Sequence, residues 1–246
     1  GWIGDREPIE LADGEPVDHL TNNGNDWAYG AGARIGWMGN YLNKKLSLGA
    51  AYSSRVYMTE FDDYSDLFAE QGDLDTPANV GVGISYKFTP KLTIGLDVTH
   101  TFYEDVAAIG NASAQKGPGS VYPDGNEIHR LGNDDGLGFG WENQTVYKIG
   151  AIYDFNSEWT FRAGWNYGES PIDESNGEIL MSMVAPAVTE NHVTLGATYS
   201  PSKQMEWSFS YVHAFKGEQD GPTYIGNTGE LSMYQNSFGV SFGYKL

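Results

Sequence analysis

Trp159-Thr160-Phe161-Arg162-Ala163-Gly164-Trp165-Asn166-Tyr167 decides the fold. Every odd position is apolar and four of the five carry aromatic rings, while the even positions are Thr, Arg, Gly and Asn. Successive strand residues point to opposite faces, so this segment has one bulky face and one small or polar face. A soluble sandwich buries its apolar face and wets the other. Here the bulky face is too rich in rings for a soluble exterior, and the opposite face is too polar for a core. That combination reads as lipid outside and a lumen within.

The alternation extends both ways along the chain. Trp141–Tyr153 precedes the segment through the short link Asp154-Phe155-Asn156-Ser157-Glu158. Val193–Tyr199, Met205–Tyr211 and Phe238–Leu246 follow it. Upstream lie Trp27–Met38, Leu46–Met58, Val80–Phe88 and Leu92–Phe102. Links after these nine stretches run short, long, short, long, as in a barrel with tight turns at one rim and large loops at the other. The fold expected is all-β, a transmembrane antiparallel β-barrel. Residues 1–26 are expected as part of an outer loop, and 27–246 as the barrel portion. Long outer loops are expected at 59–77, 104–138, 169–190 and 215–235. Ten tilted residues rise roughly 25 Å, the height of the apolar band. Single-chain bacterial barrels have even strand numbers, so nine strands and a start within a loop imply further strands upstream. GWIGDREPIE has neither a basic start nor an apolar stretch and is not a signal peptide.

Composition narrows the class. Cysteine is absent, which excludes disulfides and Cys-ligated zinc. The net charge of −19 argues against nucleic acid as a partner. Of the 33 acids, 28 fall in residues 1–26 and the four long loops, where only Arg6, Lys116, Arg130 and Lys216 are basic. One rim is therefore acidic, either as ordinary solvated loop or as a mouth that meets divalent ions beside lipid headgroups.

Strand parity points Arg34, Arg55, Lys148 and Arg162 into the lumen. An inward cation suits a carboxylate ligand. The structural reading is pairing with Asp97, Glu142 or Glu206, which also point inward. Tyr64–Gln71 can form a short helix with Leu67 and Phe68 on a partly apolar side. The run Ile179–Val188 is apolar enough that it should fold into the mouth rather than stand free. The five histidines show no metal-ligand spacing, and Ser210 and His213 have opposite parity, so no hydrolase triad is read. Asp62, Asp63, Asp66, Asp73 and Asp75 match no calcium-loop pattern. No enzyme activity, cofactor or metal is expected.

Several segments resemble the long-chain fatty acid outer-membrane transporters of the FadL/TodX type. They are Tyr64–Gly72 followed by Asp75–Asn79, Gly138–Trp141, Val146–Gly150, Trp159–Gly164, Gly168–Ile172, Met183–Ala187 and His192–Gly196. They occur in the family's order over about residues 27–246. The resemblance implies the last nine strands of a 14-strand barrel; the family's hatch and first five strands have no counterpart here, so its gating and lateral exit are not carried over to this chain. It implies passive uptake of a fatty acid or similar hydrophobic compound, with Lys148 and Arg162 the stronger lumen candidates beside Arg55 and Arg34. It also implies an outer groove that first captures ligand, to which Tyr64, Leu67 and Phe68 would contribute. Ser237–Tyr244 resembles the signal read by the barrel-assembly machinery, although Lys245-Leu246 replaces the usual terminal Phe. The expected setting is the bacterial outer membrane, as a monomer among lipid and lipopolysaccharide. The alternatives are a general diffusion porin, and a surface adhesion or phage-receptor barrel whose acidic loops carry the function.

Overall fold

The computed structural model describes residues 9–10, 16–17, 19, 23–67, 69–112, 132–173, 178–223 and 227–245. Nine strands form one sheet: β1 Arg34–Tyr41, β2 Leu46–Ser53, β3 Asn79–Lys87, β4 Leu92–Thr101, β5 Gln144–Asp154, β6 Trp159–Gly168, β7 Asn191–Tyr199, β8 Met205–Pro222 and β9 Thr228–Tyr244. Each pairs antiparallel with its sequence neighbours, so spatial order equals chain order. β1 and β9 do not pair with each other among the described residues. No described helix is long and apolar enough to cross a membrane.

The faces divide as the alternation requires. On the bulky face, rings meet across strands: Trp159 stacks on Tyr199 with centroids 4.7 Å apart, Trp207 meets Phe242 at 4.6 Å and Tyr211 meets Phe238 at 4.8 Å. Phe238 is nevertheless 80% exposed and Val240 68%. Among the described residues, neither face of the sheet has a protein core against it. A buried hydrophobic cluster joins the loop residues Ile172, Ile179 and Val188 to Leu231 near the start of β9, with Trp141, Ala187 and Met233 packed against it.

Three expectations need correction. Trp27–Met38 is not one strand: Gly30–Ala31 pairs separately with Tyr57–Met58, and the regular strand starts at Arg34. The backbone here runs so close to the neighbouring segment that a Cβ on Gly32 would lie 2.9 Å from Val56 Cγ2. Leu46–Met58 likewise breaks after Ser53. Residues 215–235 are mostly strand rather than loop. After a register shift between Ala214 and Gly217, the β8–β9 ladder continues to Pro222 paired with Thr228. Packing of Leu231 and Met233 on the loop core is what a solitary ribbon would lack.

Candidate functional site

The small-residue face carries the candidate site. One cross-strand row runs through all nine strands: Met38, Gly49, Gly83, Asp97, Lys148, Asn166, His192, Ala214 and Gln235. Its middle is polar, and the row next to it reads Gly95, Gly150, Gly164, Thr194. Small residues leave room there, so the few long polar side chains dominate the chemistry of the face.

Lys148 stands directly between Asp97 and Asn166 in register. It is exposed and makes no ion pair within 4 Å among the described residues. Arg162 faces Ile152 and Gly196, four residues or about 13 Å further along β5 than Lys148. Its Nη1 donates to Thr198 Oγ1 at 2.7 Å, and Thr198, 5% exposed, lies 2.9 Å from Ser208 Oγ. Arg162 borders a cavity of about 750 Å³ shared with Thr194, Thr198, Ser208 and Ser241. Arg34 borders another of about 560 Å³ with Gly36, Ser47, Gly49 and Gly83. Asp97 lines both. The expected pairing of Arg34, Lys148 and Arg162 with Asp97, Glu142 or Glu206 is not found among the described residues.

Arg55 leaves this set. The strand ends at Ser53, so parity no longer fixes where residue 55 points. Its Nε donates to Asp75 Oδ2, its Nη2 to Glu70 Oε2 at 3.4 Å and its Nη1 to the Asp105 carbonyl at 2.8 Å. Burial opposes the charge, but the Asp75 bond and the charges of Asp75, Glu70 and Asp73 outweigh it and hold the guanidinium above its ordinary range. The Asp75 side chain is fully buried, and its Oδ1 accepts from Met58 N at 2.5 Å. Arg55 is thus the tie between the segment 54–76 and the segment after β4.

The other loop contacts are polar. Tyr64 donates its hydroxyl to the Gly24 carbonyl at 2.6 Å, Asn23 Nδ2 donates to Asp63 O at 2.7 Å, and Asp66 N donates to His19 O at 3.2 Å. From the other side Gln71 N donates to Gly132 O at 2.6 Å and Glu70 N to Asn133 O at 3.2 Å. Asp62–Tyr64 is a 3₁₀ turn, but Glu70 and Gln71 both have φ of 57°, so the expected helix does not continue. Tyr64 and Leu67 are half-buried; Phe68 lies outside the described residues. The run Ile179–Val188 divides: Ile179 and Val188 are buried, while Met183 and Val184 are 58% and 59% exposed.

His192 escaped the sequence reading. It shares the face of Lys148, and its buried Nδ1 has no hydrogen-bond partner among the described residues, while Nε2 lies 3.5 Å from Thr189 Oγ1. Its parity with Thr194 and Gly196 was the available signal.

An antiparallel sheet with one bulky, exposed apolar face and one small-residue face that carries isolated cations has the arrangement of an outer-membrane β-barrel wall. The match to known proteins makes this specific. Residues 7–237 match the model of the outer membrane protein transport family (OMPP1/FadL/TodX), and the chain belongs to that family. Comparison with curated proteins finds no match. Among solved structures, the chain is similar to the Pseudomonas putida toluene transporter TodX, at 18% identity and TM-score 0.54, covering 89% of this chain and 50% of that one. A Pseudomonas aeruginosa FadL homologue gives 17% and 0.56, covering 87% and 52%. The CymD monoaromatic hydrocarbon channel gives 19% and 0.51, covering 88% and 51%. The chain therefore spans about half the length of these structures, and at such identity the likeness concerns the fold.

Proposed function

We propose that this chain serves an outer-membrane channel for passive uptake of long-chain fatty acids or similar hydrophobic compounds with an anionic head. Family membership supports a hydrophobic cargo. The observation that carries the choice of head is the pair Lys148 and Arg162, two cations that form no ion pair among the described residues on a face rich in Gly, Ser and Thr, even though Asp97 is the cross-strand neighbour of Lys148. A saturated hydrocarbon gains nothing from an ammonium or a guanidinium and an aromatic ring gains only a cation–π contact, whereas a carboxylate gains charge-assisted hydrogen bonds. Arg34 extends the same positive lining. Tyr64, Leu67 and Phe68 would meet the cargo first, in the loops above. No energy source is invoked; the gradient drives passage. The protein would sit as a monomer in lipid and lipopolysaccharide, inserted by the barrel-assembly machinery through its last strand.

Uptake of labelled oleate and of toluene by cells carrying the natural protein tests the reading. Oleate uptake should exceed background and fall with Lys148→Met and Arg162→Met, with toluene little changed. Toluene entry without oleate entry refutes the choice of head. Entry of sugars at comparable rates would favour a general porin instead.

A further inference from the structure

Asp97 on β4 faces Gly83 on one side and Lys148 on the other, each directly opposite in the ladder. Cross-strand neighbours of opposite charge on one face are close enough to pair. Asp97 nevertheless forms no ion pair with Lys148 among the described residues. Gly83 leaves the room that this requires. A Cβ built there would overlap the Asp97 carboxylate and come within 3.2 Å of its Cγ. The carboxylate therefore rests over the bare backbone of Gly83, turned away from β5.

We propose that Gly83 is a positioning residue: by seating the Asp97 carboxylate, it holds that acid off Lys148 and leaves the ammonium open to the anionic head of a ligand. The inference rests on the carboxylate reading above and adds how the cation is kept available. Any side chain larger than hydrogen at 83 must displace the carboxylate. Gly83 does not have positive φ, so alanine fits its backbone, and the displaced group is the end of a rotatable side chain. The free direction is toward β5, where Lys148 waits. An Asp97–Lys148 pair would then compete with the incoming head.

The probes are dodecanoate and dodecan-1-ol, with binding measured on outer-membrane preparations carrying the natural protein. Lys148→Met should weaken dodecanoate about tenfold and leave the alcohol alone. Equal binding of dodecanoate by wild type and Lys148→Met would remove the underlying carboxylate reading. Given the Lys148 effect, Gly83→Ala should weaken dodecanoate by about three- to fivefold, the size of an exposed ion pair, again sparing the alcohol. Gly83→Ala with Asp97→Asn should restore wild-type binding, and Asp97→Asn alone should bind at least as well as wild type. Unchanged dodecanoate binding in Gly83→Ala, or failure of the double variant to recover, overturns the role of Gly83 while leaving that of Lys148 intact. Retained heat-dependent gel mobility confirms that each variant is folded.

Discussion

The Arg55 guanidinium and the fully buried Asp75 carboxylate form an ion pair in the segment between β2 and β3. Because Arg55 also reaches the Asp105 carbonyl and Glu70, one side chain joins the segment 54–76 to the segment after β4. Removing one partner of such a pair strands the other charge, at a cost of about 3–5 kcal/mol. Arg55→Met should therefore raise amide exchange across 56–76 and 103–110 by several orders of magnitude while β5–β7 keep their protection. Exchange confined to the site of substitution would mean that the pair ties nothing.

Asp73 makes the same loop sensitive to pH. Burial comes first, then the Asp75 hydrogen bond and the charges of Asp75 and Glu70, which together push its carboxyl up to about 6 from 3.8 despite Arg55. The folded loop thus holds a proton that the unfolded chain has already released. The contribution of Asp73 to stability is fully present below pH about 4 and is lost as pH rises through about 6. Proteolysis of the 59–77 loop should accelerate over that window, and Asp73→Asn should flatten the profile. A wild-type profile flat from pH 4 to 6 would count against the assignment.

The sequence exposed the strand faces because each face meets a different medium. Lys148 and Arg162 fall where the alternation of Val146–Gly150 and Trp159–Tyr167 puts them, since no break intervenes. Arg55 defeats the same logic two residues after the ladder stops at Ser53, and Asp75 lies twenty residues from it, in a stretch that reads as solvated acid. The ribbon of 217–222 with 228–233 was hidden for a related reason. Its acids and glycines have loop composition, and contact with Ile172, Ile179 and Val188, far off in sequence, gives it something to pack on. The seat of Asp97 on Gly83 depends on a rotamer, which no spacing encodes.

The loop core should be a separate unit of stability. Ile179 is fully buried beside Leu231 and Val188. Ile179→Ala should cost about 2–5 kcal/mol, spent on the cap rather than on the ladder. Amide exchange at 217–233 should quicken sharply and that at 205–213 should not. A uniform rise along β8 would show that the ribbon and the transmembrane ladder open together.

The two faces of β9 make opposite demands on one charge. Val240 is opposite Phe209 on the bulky face, and Ser237 is opposite Val212 on the small-residue face. An arginine on the lipid face near the bilayer midplane costs about 2–4 kcal/mol, whereas the lumen tolerates one. Val240→Arg should therefore lower the urea midpoint for folding into lipid vesicles, read by heat-dependent gel mobility, while Ser237→Arg leaves it close to wild type. A protein interior on the bulky side would also reject Val240→Arg, but it would then fold in buffer without lipid. Folding only when vesicles are present, together with the asymmetry between these neighbouring positions, separates a membrane wall from a buried core. Equal midpoints for both variants would break the assignment of faces on which the channel rests.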